Sequence, residues 1–310
     1  MMLSRRWKST PVVVFAAFLF CFCIKPAEAH FFSIVPDVKT HVVPVGSTHT
    51  AKVTFTEEFL KVQAGAAHLK LGSDIFSARF LYNDGTTLPF PAFREHDEPG
   101  VEIEKGTDSH VSEAVLGKEG TVVLDARVSD VTYVPSPKMK LHYWGYSKQI
   151  LNAKADGLSI KAVGGSDVLE IVPLSEVAEF AAGKTVRFKA LFKGEPLGGA
   201  KIEWADEKSP RVMGDEGPTN TTEVATTEKD GTFQFTIKNP GYNCFGIMYQ
   251  RPPAGTDRMF DYYASTLIVD VPNAPAEEGG GGGCDGLGAS GALGGLALAG
   301  AGVFLLRRKG

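Results

Sequence analysis

The chain carries seven histidines, at positions 30, 41, 49, 68, 96, 110 and 142, and none beyond 142. Imidazole is the commonest side-chain ligand for borderline transition metals, so the first half of the chain is where coordination chemistry is expected. His30 stands apart. It directly follows Ala27-Glu28-Ala29, a small-residue cleavage signature. A cut after Ala29 leaves His30 as the first residue, with a free α-amine beside its imidazole. Those two nitrogens can close a chelate ring on one ion, which lowers the entropic cost of assembling a site. Further ligands are sought in "AGAAHLKLG" (His68), "GTDSHVSEAV" (His110) and "MKLHYWGYSKQ" (His142), the last among aromatic residues that could wall a site. His41 and His49 flank "VVPVGST", and His96 lies in the charged "REHDEPG". There is no HExxH or CxxC, so any site is assembled from distant segments.

Other chemistries have less support. The sequence has no G-x-S-x-G, no phosphate-binding loop and no dinucleotide fingerprint, and no acid pair stands out from a solvated face. An enzyme is therefore not expected. Residues 30–306 hold 25 Lys and Arg against 35 Asp and Glu, a net charge of −10. That balance suits cations and opposes nucleic acid, whose binding requires phosphate neutralisation.

Both ends read as envelope signals. A basic "MMLSRRWKST" and an apolar "PVVVFAAFLFCFCI" precede the Ala29 site, as in a signal peptide over 1–29. Two of the four cysteines lie inside it, and Cys244 and Cys284 remain, too few for a disulfide scaffold. The end, "APAEEGGGGGCDGLGASGALGGLALAGAGVFLLRRKG", is a Gly-rich linker (273–285) followed by an apolar segment closed by basic residues (286–310). It is about long enough to span a bilayer, with the basic cluster on the cytoplasmic side. The layout resembles a Synerg-CTERM sorting signal, which implies Cys284 as a processing or lipid-attachment site. The expected location is the periplasm or cell surface, membrane-anchored or sorted through this tail.

The elements that must position the histidines are strands. "HTAKVTF" (49–55), "TVVLDARV" (121–128), "TVRFKALF" (185–192), "AKIEWA" (200–205), "TFQFTIK" (232–238) and "STLIVDV" (265–271) place apolar residues at alternate positions or in short β-branched runs. Asn83-Asp84-Gly85, Gly194-Glu195-Pro196, Asp230-Gly231 and Asn239-Pro240-Gly241 supply turns. "LSEVAEFAAG" (174–183) has room for one helical turn. The expectation is an all-β chain of two antiparallel β-sandwiches: a His-bearing domain over 30–160 and a second over 165–272 with the pattern of transthyretin-like or CNA-B-like modules.

Four stretches carry a wider resemblance: "EAHFFSIVP", "VTFTEEFL", "KLHYWGYSKQILNA", and "VLEIVPLSEVAEFAAGKTVRFKALFKGEPLGGAKIEW" running into "TTEKDGTFQFTIKNPGYNCFGIMY". Together they resemble the DUF4198 group, related to NikM/NikK-type exported components of nickel or cobalt uptake. The resemblance implies a divalent transition metal, nickel or cobalt, with copper and zinc as the other ions such ligands accept. It implies His30 as a ligand, then His68 and His142, then His110. Where relatives often have a histidine after the Phe-Thr of the first strand pair, this chain has Glu57, a harder ligand. A membrane metal transporter is the implied partner. Two alternatives stand beside this reading. One is a copper histidine-brace oxidoreductase, though the surrounding pattern of that class is missing. The other is a structural or adhesive surface protein without a metal site.

Overall fold

The computed structural model describes residues 31–37, 43–56, 59–60, 75–97, 109–136, 139–151, 168–176, 179–209, 213–214, 217–218, 223–251 and 259–272. In chain order the strands are β1 (Phe31–Ile34), β2 (Thr48–Thr56), β3 (Phe76–Tyr82), β4 (Thr87–Pro89), β5 (Arg94–His96), β6 (Ser109–Val115), β7 (Val122–Ser136), β8 (Met139–Leu151) and β9 (Leu169–Pro173). Then follow β10 (Thr185–Phe192), β11 (Glu195–Pro196), β12 (Lys201–Asp206), β13 (Met213–Gly214), β14 (Gly217–Pro218), β15 (Glu223–Thr226), β16 (Thr232–Thr236), β17 (Gly241–Arg251) and β18 (Met259–Val271). The fold of the described residues is all-β, and each strand read from alternation is present. β10 shows why: Val186, Phe188 and Ala190 are fully buried while Thr185 and Arg187 are exposed, the period of two that a half-buried strand imposes.

The strands form three layers. An eight-stranded sheet, β15-β12-β17-β18-β8-β7-β3-β4, lies at the centre. A four-stranded sheet β1-β2-β6-β5 covers one face, and β11-β10-β16, with β9 beside β10, covers the other. Two separate apolar clusters fill the spaces. Along β8, Leu141, Tyr143 and Leu151 join the first, with Phe32, Phe55, Phe76 and Phe80. Tyr146 and Ile150 join the second, with Phe188, Trp204, Phe235 and Phe245. Neighbouring residues of one strand thus serve opposite cores. The short pair β13-β14 stands apart from these sheets.

Pairing departs from the antiparallel expectation at one place. β8 and β18 run parallel, from Met259 opposite Lys140 to Val269 opposite Ile150. This pairing makes the centre continuous: β3, β4, β7 and β8 precede the boundary expected near 165, and β12, β15, β17 and β18 follow it. The connection itself, 152–167, lies outside the described residues.

Turn chemistry follows the sequence with one shift. The β10–β11 hairpin closes on Lys193 (φ 53) and Gly194 (φ 81), with Phe192 paired to Glu195. Two central residues at positive φ make the type I′ turn that matches strand twist, one residue earlier than Gly194-Glu195-Pro196. Within the stretch 174–183, where a helical turn is expected, the Glu179 amide donates to the Glu176 carbonyl at 2.9 Å, and Val177 and Ala178 lie outside the described residues. Among the described residues no helix is long and apolar enough to cross a membrane. The signal peptide, the linker and the tail segment lie outside them.

His49 sits on β2 with its ring 6.0 Å from that of Phe80. Burial lowers its pKa, and Asp37 partly opposes this. A group depressed on folding favours the neutral form, so its stability contribution is complete above the ordinary value near 6.5 and is lost as pH falls below it. Thermal unfolding from pH 7.5 to 5.5 should show the wild type losing more stability than His49→Leu; parallel pH profiles would assign the loss elsewhere.

Candidate functional site

The best-positioned element near the candidate ligands is β1. All four of its residues are buried, Phe31, Phe32 and Ser33 at 0% exposure and Ile34 at 1%. One edge pairs with β2, Phe31 opposite Thr56 through Ile34 opposite Val53. Among the described residues no strand pairs with its other edge, yet its amides are satisfied. The Phe32 amide donates to the Tyr143 hydroxyl at 2.9 Å, and the Ile34 amide to Ser147 Oγ at 2.8 Å. Thr266 Oγ1 lies 2.7 Å from Ser147 Oγ and 3.4 Å from the Phe32 carbonyl oxygen. Side chains standing on β8 and β18 thus replace the missing ladder, as buried backbone groups require.

Aromatic contacts complete the seat. Phe31 meets Phe59 edge-on at 4.7 Å, and Phe32 stacks on Phe76 at 6.0 Å. Tyr143 packs against Phe55 at 5.5 Å and stacks on Tyr262 at 5.8 Å. Burial, then Tyr262, pushes the Tyr143 hydroxyl well above its ordinary range, with the Phe32 amide opposing. Tyr143 therefore remains a neutral phenol that accepts from Phe32. Tyr262 in turn donates to Met248 Sδ.

Of the predicted ligands, His30, Glu57 and His68 lie outside the described residues, as do the processing positions Ala29 and Cys284. Phe31 and Thr56, the covalent neighbours of His30 and Glu57, are register partners. His110 is on β6, 6% exposed, with its ring 4.3 Å from that of Phe76. It pairs with Val53, three residues along β2 from Thr56, or about 10 Å of strand. His142 is on β8 beside Tyr143, so alternation turns it to the opposite face of the central sheet. There its Nδ1 lies 4.0 Å from Asp261 Oδ1, and its ring meets Trp144 edge-on at 5.8 Å.

The structure therefore does not bring His110 and His142 into one coordination shell: His110 faces the first core and His142 the opposite side of the sheet. Among the described residues no group of three or more His, Cys, Asp or Glu is arranged to hold a metal. Sequence reasoning missed Asp261 as the companion of His142, and Tyr143, Ser147 and Thr266 as the clamp on β1. The small residues Gly145 and Ser147 alternating with Leu141 and Tyr143 were the available signal for a strand that another strand crosses. Asp261 left none, because only the parallel β8–β18 pairing brings it near.

Comparison with solved structures finds distant likenesses. A structure concerning the host-cell-surface retention of a 1.5-MDa bacterial ice-binding adhesin shares 9% identity at a TM-score of 0.21, over 77% of this chain and 64% of that one. The D0–D1 domain of intimin shares 10% at 0.19, over 76% and 96%. A chimeric titin Z1Z2 tandem shares 11% at 0.15, over 78% and 97%. This chain thus spans less than two thirds of the adhesin chain. No curated protein matches. One family model does match, over residues 27–251, from just before His30 to the end of β17. The chain belongs to the DUF4198 family, a domain of unknown function.

Proposed function

We propose that the protein is an exported, envelope-associated binding protein for a divalent transition metal, nickel or cobalt, and that its site is built around the N-terminal chelate of His30. The observation that carries this reading is the clamped β1 strand. A terminus ordinarily frays, but here the residue after His30 is fully buried, and the next amide is held by Tyr143. A chelating first residue attached to such a strand starts with much of its ordering cost already met. The register adds a second ligand candidate, since His30 and Glu57 each stand one peptide step from the paired residues Phe31 and Thr56. His68 is the third candidate. His110 and His142 are not part of this set.

In this reading the ion is cargo, handed to a membrane transporter rather than used in a reaction. The chain is held at the envelope by its 286–310 segment. Two Ig-like or transthyretin-like sandwich modules sharing one central sheet form its body. The test is titration of the mature protein, beginning at His30, with Ni(II) and Co(II). A variant with one alanine added before His30 should bind at least tenfold more weakly, because the amine is then displaced from the imidazole. Equal affinity in the two forms would remove the N-terminal chelate from the reading.

A further inference from the structure

One half-buried side chain joins the seat of β1 to open solvent. Gly145 on β8, Ala264 on β18 and Met248 on β17 are register partners in turn, and directly paired residues share a face. That face is the one on which β1 rests: a Cβ at Gly145 would lie 2.4 Å from Phe32 Cβ, and one at Gly246, two residues before Met248, 2.9 Å from Phe31 Cε1. Met248 packs against the first core from this position. Its other side walls a groove of about 380 Å³ with Leu197, Gly198, Lys201, Tyr249 and Gln250, of which Gly198, Lys201 and Gln250 are exposed. The thioether therefore has an apolar layer on one side and an opening wide enough for a small solute on the other.

The sulfur also ends a chain of contacts that begins at β1. The Phe32 amide donates to the Tyr143 hydroxyl at 2.9 Å, the Tyr143 ring stacks on Tyr262 at 5.8 Å, and the Tyr262 hydroxyl donates to Met248 Sδ. A thioether is a weak acceptor and an adaptable filler of apolar gaps, so reduced sulfur suits this place. A sulfoxide in the same place is polar and chiral. Its oxygen requires strong donors or water, and leaving it unpaired in the first core is costly. The groove supplies water, so the oxidised side chain turns outward. Tyr262 then loses its acceptor or follows it, and either movement shifts the ring on which Tyr143 is stacked.

We propose that Met248 is an oxidant-responsive modification site, at which formation of the sulfoxide loosens the clamp on β1. The reagent is a two-electron oxygen donor of the peroxide class, small enough to enter the groove. A sulfur lone pair attacks one oxygen of hydrogen peroxide. The S–O bond forms as the O–O bond breaks, and the second oxygen leaves with both hydrogens as water. Sulfur is oxidised by two electrons and the peroxide is reduced by two. Position selects Met248 for this role: a thioether wholly inside the core is out of reach of the oxidant, and one wholly outside it is coupled to nothing. The Ile34 amide is held by Ser147 rather than by a tyrosine, so the loosening is greatest at the start of β1, next to His30. Under the metal reading above, oxidation then weakens the N-terminal chelate, while the effect on β1 holds whether or not an ion is bound.

The test treats the mature protein with hydrogen peroxide, locates sulfoxide by peptide mapping and follows backbone protection by amide hydrogen exchange. Met248 should gain one oxygen while the protein stays folded. The Phe32 amide should then exchange about tenfold faster, with the amides of β10 in the second core unchanged. Methionine sulfoxide reductases should reverse both changes. Met248→Leu keeps the volume and removes the sulfur, so its Phe32 exchange should not respond to peroxide. Met248→Gln places a polar group at the same point and should show the fast exchange without any oxidant. If Met248→Leu fails to fold, Met248→Gln and the reductase treatment decide. The proposal is overturned if Met248 stays unmodified in the folded protein, if its sulfoxide leaves Phe32 exchange unchanged, or if Met248→Leu responds to peroxide as the wild type does.

Discussion

Gly145→Ala is expected to destabilise the protein by about 2–5 kcal/mol, the sum of an overpacking cost and the partial loss of one buried phenylalanine. A Cβ at position 145 would lie 2.4 Å from Phe32 Cβ and 2.8 Å from Val128 Cγ1. The first of these contacts cannot be relieved by a side-chain rotation, because Phe32 Cβ moves only with its backbone. That backbone is held by the Tyr143 and Ser147 hydroxyls on either side of Gly145. Accommodating one methyl group therefore requires β1 to lift from β8, which breaks the clamp and loosens Phe32 from Phe76. Gly246 makes a softer seat. Its added Cβ would meet Phe59 Cζ at 2.5 Å and Phe31 Cε1 at 2.9 Å, ring edges that can tilt, so Gly246→Ala should cost less. Thermal unfolding measures both. For a folded unit of this size each kcal/mol moves the midpoint by about 2–4 °C, so Gly145→Ala should lose on the order of 10 °C and exceed Gly246→Ala. A loss under about 2 °C would mean that β1 rests on the sheet loosely. The N-terminal chelate would then lose its structural support.

The strands were legible because burial on one face writes an alternating pattern, and "TVRFKALF" or "TFQFTIK" is enough to see it. What alternation cannot write is which distant strand lies alongside. The parallel pairing of β8 with β18 joins segments on either side of the expected boundary and leaves no local trace. The sequence therefore suggested two separate sandwiches, whereas one central sheet serves both cores. The same limit governed the candidate site. "KLHYW" reads as one aromatic-rich segment around a histidine, but period two divides it. Leu141 and Tyr143 turn toward β1, while His142 and Trp144 turn to the opposite side. His110 was plausible as a ligand because it is a histidine in the first half of the chain, yet its ring packs on Phe76 within an apolar layer. By contrast, "FFSI" is apolar at three of its four positions, and every residue of β1 is buried.

The remaining large effect lies in the second core, where Lys148 on β8 meets Glu170 on β9. Nζ and Oε2 are 3.3 Å apart, with side chains 5% and 2% exposed. Lys148 pairs in register with Asp125 on β7, whose carboxylate is fully buried between Arg79 and Arg127. Charge thus continues from β3 across the central sheet and up into the outer one, through a layer otherwise packed with apolar groups. Glu170→Ala is expected to cost about 3–5 kcal/mol, because it takes away a carboxylate that a desolvated ammonium group meets inside the second core. Replacing both residues, as Lys148→Met with Glu170→Leu, should return stability to within about 1 kcal/mol of wild type or above it, since a matched apolar pair avoids both desolvation penalties. What the pair supplies is then register rather than net stability: β9 carries Glu170 amid Leu169, Ile171 and Val172, all buried, and an apolar strand alone would pack at more than one offset. A denaturant double-mutant cycle separates the terms. A strongly favourable coupling, with the double variant near wild type, supports a buried and desolvated pair. A cost below about 1 kcal/mol for Glu170→Ala, the scale of surface pairs, would mean that water reaches Lys148 and that the outer sheet is held in place by its aromatic contacts alone.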